Sequence, residues 1–113
     1  MYNSFFIDFE DGIKRVMNNK AFFIKMLVKF KDDPNLKNLE AALAANDYEK
    51  AQVAAHTLKG LSGNLSLTEL FKQSREIEAQ IKAKSVNPGQ LDALKDVYKQ
   101  TLAEVEKVIT GNE

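Results

Sequence analysis

The single histidine of this sequence, His56, is the residue best suited to chemistry, and Lys59 follows it three positions later. An accessible neutral imidazole is a competent nucleophile near neutral pH, because its reference pKa is about 6.5. On a helix, a lysine at this spacing can place its ammonium group beside an anion attached to the ring. Phosphoryl transfer requires chiefly positioning and charge stabilisation around the transferred group. The pair therefore provides a nucleophile and a charge partner, which suit a histidine that accepts and donates a phosphoryl group.

Two glycines lie one and two turns beyond His56, at Gly60 and Gly63. Glycine inside a helix costs about 0.8–1.0 kcal/mol relative to alanine, so each position needs a reason. We interpret both as openings on an exposed face, where packing does not require small residues and a partner's surface can approach the imidazole. Gln52, one turn before His56, and Val53 are further candidates for contact with a partner.

The helix that carries these residues must turn His56 toward solvent. Each helical residue turns by about 100°, so with Leu58 as the core direction His56 lies about 160° away. The residues within about 60° of the core direction are Ala51, Ala54, Leu61, Ser62 and Leu65. The outward half holds His56 together with Gln52, Lys59, Gly60 and Gly63.

Several kinds of site are missing from the sequence. It has no phosphate-binding glycine loop, no nucleotide motif and no magnesium-binding set of carboxylates, so we expect a phosphoryl carrier that is not an enzyme and draws nothing from ATP. One histidine and no cysteine leave only carboxylates and amides as ligands, so we expect no metal site and no bound cofactor. Carboxylate pairs such as Asp32 and Asp33 are typical of helix ends. Glu78 and Lys82 are interpreted as part of a solvated helix face.

Helical apolar spacing extends along almost the whole chain, and no strand pattern is convincing. The predicted helices cover Asp8–Met17, Lys20–Lys31, Leu36–Ala45, Tyr48–Leu65, a stretch from a cap at Ser66 through Lys84, and Asn87–Ile109 with Gly111 as terminator. Short connections favour antiparallel neighbours. We therefore predict an all-α fold, an antiparallel up-and-down four-helix bundle with an additional short N-terminal helix, forming one domain over residues 1–113.

Helix starts and core positions can also be read from the pattern. Capping signatures are expected at Asn46 with Glu49, at Ser66 with Glu69, and over Asn87, Pro88 and Gln90. The core candidates among the aromatic residues are Phe22, Phe23 and Phe30. Residues 5–7 either cover one end of the bundle or contact a partner.

Composition excludes several classes of partner. Sixteen basic residues balance sixteen acidic ones, so nothing favours nucleic acid or an anionic membrane. No apolar stretch approaches the roughly 20 residues that span a bilayer, and the N-terminus lacks the pattern of a signal peptide. We therefore expect a cytoplasmic protein. No uninterrupted heptad pattern is present, so a monomer is expected. The start at Met1 without linker composition favours a stand-alone chain.

The run from Ala55 to Leu65, AHTLKGLSGNL, resembles the signature of the histidine phosphotransfer (HPt) domains of bacterial multistep phosphorelays. In that family, a histidine exposed in the middle of a helix of a four-helix bundle takes a phosphoryl group from an aspartyl phosphate on a receiver domain and passes it to another receiver. The resemblance implies that His56 is phosphorylated, that Lys59 assists and that Gly60 keeps the approach open. It also implies response-regulator receiver domains as partners, with magnesium on the receiver, and a hybrid histidine kinase as a further candidate.

The sequence departs from the family at Ser66, where many members carry glycine. We interpret the serine as a different local helix ending. Two alternatives to the carrier remain: a helical-bundle module that docks receiver domains without being phosphorylated, and a small enzyme that uses His56 as a base. The module would tolerate loss of His56. The enzyme would need a concave pocket, which the convex face around His56 does not favour.

Overall fold

The computed structural model describes residues 5–111, which contain helices and no strand. The helices are α1 Phe9–Arg15, α2 Lys20–Phe30, α3 Asn35–Ala44, α4 Tyr48–Asn64, α5 Thr68–Lys82 and α6 Gln90–Gly111. The predicted all-α class is confirmed. α6 continues through Gly111, so the predicted end near Ile109 falls short. Over the described span, no helix is both long enough and apolar enough to cross a bilayer.

Helix α4 lies between α3 and α5, and its contacts with these two neighbours are the most extensive in the fold. α6 packs against α5 and α2, and α1 packs against α2. The described residues form an elongated body of 41 × 22 × 20 Å. Because α4 is covered on two sides, its remaining face is open to solvent along its length.

The core is built from the apolar stripe of each helix, as the periodicity predicts. Phe23 and Phe30 are buried, and the ring of Phe30 lies 5.5 Å from that of Tyr98. The prediction for Phe22 is wrong, because its side chain is 49% exposed. Phe22 precedes Phe23 by about 100° on the helix, so burying Phe23 turns Phe22 to the edge of α2.

Residues 5–7 divide between core and surface. Ile7 is fully buried, Phe6 is half-buried and Phe5 is 70% exposed. Gly12, one turn into α1, allows the close approach of α1 to α2. A Cβ at Gly12 would lie 2.3 Å from Cζ of Phe23, which is far inside van der Waals contact. α1 is thus fixed by packing.

Three helices end in the same way, with a non-glycine residue in the left-handed region. Asn46, Ser66 and Lys84 follow α3, α4 and α5 with φ of 54°, 55° and 54°. At the end of α4, the Leu67 amide donates to the Ser62 carbonyl at 2.8 Å and the Ser66 amide to that of Gly63 at 3.2 Å. This is the Schellman pattern, in which glycine is the usual left-handed residue. It explains why glycine suits position 66.

The predicted capping boxes are wrong, because the left-handed residues belong to the ends of the preceding helices. The N-cap of α4 is Asp47, which accepts from the Lys50 amide at 3.0 Å. α5 begins at Thr68 with Leu67 as its N-cap and no side-chain cap. The Ser66 hydroxyl instead donates to Oδ2 of Asp11 at 2.6 Å, which ties α1 to the α4–α5 junction.

The start of the last helix also differs from the prediction. α6 begins at Gln90, and the residues predicted to cap it form a turn closed by the Gln90 amide on the Asn87 carbonyl at 3.1 Å. Gly89 has a φ of 83°, which with Pro88 before it fits a type II turn. The Asn87 amide donates to Oε1 of Gln80 at 2.9 Å, so this residue anchors the turn to α5.

Lys84→Gly is expected to raise the free energy of unfolding by roughly 0.5–1 kcal/mol, because glycine removes the left-handed penalty at an exposed position. Chemical denaturation measures the change. Lys99→Gly, at an exposed position inside α6, is the matched control and should lower stability by about 1 kcal/mol. Equal losses in both variants would contradict the assigned strain at Lys84.

Candidate functional site

The packing of α4 turns His56 outward. The buried residues of this helix are Ala51, Ala54, Ala55, Leu58 and Ser62. The His56 side chain, on the opposite face, is 67% exposed. The outward orientation inferred from the helical spacing is therefore confirmed. The ring is accessible to a molecule approaching from solvent, while its backbone belongs to the helix that packs against both α3 and α5.

Glu78 of α5 holds one nitrogen of this exposed ring. Its Oε2 lies 2.9 Å from Nδ1 of His56, and the Glu78 side chain is only 3% exposed. The interpretation of Glu78 as part of a solvated face is wrong. α5 buries Ile77 and Ile81 against the bundle, and Glu78 follows Ile77 on the edge that faces α4. The exposed histidine is thus anchored to a buried carboxylate.

Two lysines complete this charge cluster. Nζ of Lys59 lies 2.7 Å from Oε1 of Glu78, and Nζ of Lys82 lies 3.8 Å from Oε2. The Lys59 side chain is 27% exposed, whereas that of Lys82 is 55% exposed. Lys59 therefore contacts the carboxylate that also holds His56. Lys82 remains more accessible and lines the same shallow depression as the ring.

The protonation of Glu78 reflects two opposing effects. Desolvation by burial raises the pKa of this carboxyl, but hydrogen bonds from Lys59 and His56 outweigh it, so the pKa lies below its ordinary value. Glu78 is therefore ionised near neutral pH. A carboxylate only accepts hydrogen bonds, so Nδ1 of His56 carries the proton that it donates. In the neutral ring, Nε2 then has the free lone pair.

Acid should weaken the fold through this carboxylate. Because the pKa of Glu78 is lowered on folding, its contribution is complete above the unfolded value of 4.5 and is lost as the pH falls through the folded value. We expect the free energy of unfolding to drop as the pH falls below that unfolded value. Denaturation at several pH values measures how steeply the free energy of unfolding falls with acid. This fall should be shallower in Glu78→Gln than in the wild type. Glu49→Gln, at an exposed position, should keep the wild-type slope.

Gly60 and Gly63 have different environments. A Cβ built at Gly60 meets no atom within 4 Å, so the space beside His56 is open there. A Cβ at Gly63 would lie 3.1 Å from Cδ1 of Phe71. The inference that packing does not require a small residue is therefore wrong for Gly63, where the Phe71 ring of α5 lies against the helix backbone. A contact of Gly63 with a partner stays a prediction.

The remaining predicted contacts lie on the same face of α4 as the ring. Gln52 is exposed and Val53 is 65% exposed. Both line the depression beside His56, together with Glu49 and Thr57. Their role in binding a partner stays a prediction.

Glu78 is the residue that the sequence reasoning missed. It lies 22 positions from His56, on another helix, so no local spacing connects the two. The available signal was its place in α5: Glu78 follows Ile77 directly and lies about 100° from it, at the edge of the apolar stripe. A carboxylate at such an edge is buried only with partners.

A comparison with protein families gives a match for this chain. A family model described as Hpt domain matches residues 27–104, which include His56, Lys59 and Glu78. The comparisons with curated proteins and with solved structures give no match. Hpt domains transfer phosphoryl groups through histidine in phosphorelays, as carriers that work with receiver domains and kinases. Because the matched residues make up well over half of the chain, it belongs to the Hpt domain family.

Proposed function

We propose that this chain is a phosphorelay intermediate that carries the phosphoryl group on Nε2 of His56. The observation that supports this most strongly is the bond between Nδ1 and the buried Glu78 carboxylate. It leaves the lone pair on Nε2, the nitrogen that Glu78 does not occupy. A carrier needs this combination of a fixed tautomer and an accessible nucleophile.

The transfer steps balance without an external acid or base. Nε2 attacks the phosphorus of an aspartyl phosphate on a receiver domain, the N–P bond forms, and the P–O bond breaks to release the aspartate carboxylate. The ring keeps its proton on Nδ1 and becomes positively charged, and Glu78 offsets that charge. In the second transfer, a carboxylate oxygen of the next receiver attacks phosphorus and the N–P electron pair returns to Nε2.

Both lysines place positive charge at the Glu78 carboxylate that holds the ring. Lys82 is the more exposed of the two and lines the depression beside His56, so its ammonium can turn toward the phosphoryl oxygens. Lys59 stays bound to Glu78 at 2.7 Å and limits the repulsion between that carboxylate and the incoming phosphoryl group. Magnesium, which phosphoryl transfer from a receiver requires, belongs to the receiver in this proposal.

The proposed partners are response-regulator receiver domains, as donor and as acceptor. A hybrid histidine kinase is the proposed source of the donor. The proposed location is the cytoplasm, and the proposed acting form is a monomer. Gly60 leaves open space beside the ring through which a receiver can approach.

Labelling with a small phosphodonor tests the proposal without a cognate partner. Phosphoramidate transfers its phosphoryl group to imidazole, so the wild-type chain should gain one phosphoryl group by mass. Because His56 is the only histidine, a label that is labile in acid, stable in alkali and absent from His56→Gln identifies it. No label, or a label on a hydroxyl group or carboxylate, would contradict the carrier. An unlabelled chain that still bound receivers would support the docking module instead.

A further inference from the structure

A groove opens between α4, α5 and α1, beyond Gly60 on the side of His56 that leads to the C-terminal end of α4. It is called the basic groove here, and its volume is about 510 Å³. Its lining includes Arg15, Lys59, Gly60, Phe71, Lys72 and Arg75. It continues directly from the phosphoryl site, because Lys59 and Gly60 belong to both.

Positive charge dominates the basic groove. Its lining has four cationic side chains and a single carboxylate, Asp11. That carboxylate is already hydrogen-bonded within the protein, since Asp11 accepts from Nε of Arg15 at 2.8 Å and from the Ser66 hydroxyl at 2.6 Å. Lys59 pairs with Glu78 at 2.7 Å, and Lys72 is exposed but pairs with Glu69 of its own helix at 3.0 Å. Arg75 is exposed and lies over the Phe71 ring, 5.7 Å from its centroid. Arg75 and Lys72 are therefore the cations that an acidic ligand can reach, and at Lys72 the ligand competes with Glu69.

The other side of His56 has a different character. The depression toward the N-terminal half of α4 is lined by Glu49 and Glu78 as well as Lys82. The groove between α3 and α4 is lined by Asp47, Glu49 and a single cation, Lys50. An acidic surface that approaches His56 thus meets attraction over the C-terminal half of α4 and carboxylates over the N-terminal half.

We propose that the basic groove docks an acidic segment of the receiver partner, so that the partner covers α4 from His56 toward its C-terminal end. The inference rests on the proposed function and adds the direction of docking to it. Gly60 keeps the path from the ring to the groove free of side chains. The Phe71 ring and the cations around it provide an apolar floor with charged walls, which suits a protein segment that carries carboxylates.

A capped peptide of six glutamates is the probe for the first test, which measures binding to the ¹⁵N-labelled wild-type chain by NMR. Shift changes should concentrate at Gly60, Gly63 and Arg75, and should weaken as salt rises. Shifts elsewhere, or no binding at millimolar peptide, would overturn the proposal. A mixed-sequence DNA oligonucleotide that bound more tightly than the peptide would overturn the assignment of a protein partner.

Two matched variants distinguish the effect of the groove's cations on peptide binding from the effect of the overall charge of the protein. Lys72→Gln with Arg75→Gln leaves the Arg15–Asp11 pair intact and should weaken peptide binding at least fivefold. Lys37→Gln with Lys99→Gln removes the same charge from exposed positions outside the groove and should change binding less than twofold. Equal losses in the two variants would overturn the proposal.

The two proposals fail separately. Phosphoramidate labelling of the Lys72→Gln, Arg75→Gln variant should match wild type, because neither residue touches His56. His56→Gln should bind the peptide as wild type does while it takes no label. If the wild-type chain took no label but bound the peptide, the proposal of a phosphoryl carrier would be rejected and that of a docking groove would stand. The reverse result would reject the groove alone.

Discussion

Glu78→Leu is expected to slow the phosphorylation of His56 by about 10- to 100-fold, by analogy with the loss of a carboxylate that orients a metal-ligating histidine. In the wild type, Glu78 accepts from Nδ1 at 2.9 Å and so keeps the lone pair on Nε2. Leucine removes the acceptor, so the ring rotates and populates both tautomers. It also removes the negative charge that offsets the phosphorylated ring. The rate of phosphoramidate labelling, followed by mass, measures the effect.

Glu78→Gln separates the two contributions. The amide oxygen still accepts from Nδ1, so the tautomer survives while the charge is lost, and we expect labelling within about tenfold of wild type. The ¹⁵N shifts of the His56 ring provide an independent readout, with Nδ1 protonated in the wild type and in Glu78→Gln but mixed tautomers in Glu78→Leu. Circular dichroism checks the fold of each variant. Wild-type labelling by Glu78→Leu would contradict the positioning role of Glu78.

Gly60→Leu is expected to slow transfer from a receiver domain by at least about 100-fold, because the leucine side chain blocks the approach of the receiver to His56. This factor corresponds to a rise of roughly 2.7 kcal/mol in the activation free energy. The open space at Gly60 makes this a block to the partner rather than damage to the fold, since a Cβ there meets no atom within 4 Å. Replacing glycine inside a helix should even raise stability by several tenths of a kcal/mol. The measurement is single-turnover transfer from a phosphorylated receiver.

The small donor distinguishes access from chemistry in this variant. Phosphoramidate labelling of Gly60→Leu should stay within about threefold of wild type, because a small molecule does not need the space that a protein surface needs. Ala103→Leu adds a similar side chain on the exposed side of α6 and should transfer normally. If Gly60→Leu transferred as fast as wild type, the receiver would approach His56 from another direction.

The sequence predicted those parts of the site that depend on one helix. The apolar spacing around Leu58 was enough to predict that His56 points outward, because both residues belong to α4 and follow its period of 3.6 residues. It could not connect Glu78 with His56, since their contact depends on how α5 packs on α4. The same limit applied to Gly63, where the Phe71 ring of α5 occupies the space that looked open from α4 alone.

The predicted starts of α4 and α5 were wrong for a different reason. Ser66 and Asn46 have side chains that favour N-caps, yet the preceding helices close with these residues in the left-handed conformation. A serine before an acidic residue three positions later fits both a capping box and a Schellman ending followed by a new helix. The backbone decided between them at Ser66, and its hydroxyl was left to bond Asp11 across the fold.

The most direct test of the carrier is the position of the phosphoryl group on the ring. The chain is prepared with ¹⁵N-labelled histidine and then phosphorylated with phosphoramidate. The nitrogen shifts and the N–P coupling in its NMR spectra distinguish phosphorus bound to Nε2 from phosphorus bound to Nδ1. Phosphorylation at Nε2, with the proton kept on Nδ1, is the result expected from the Glu78 contact. Phosphorylation at Nδ1, or an unmodified ring beside a label elsewhere, would contradict the role assigned to His56 and Glu78.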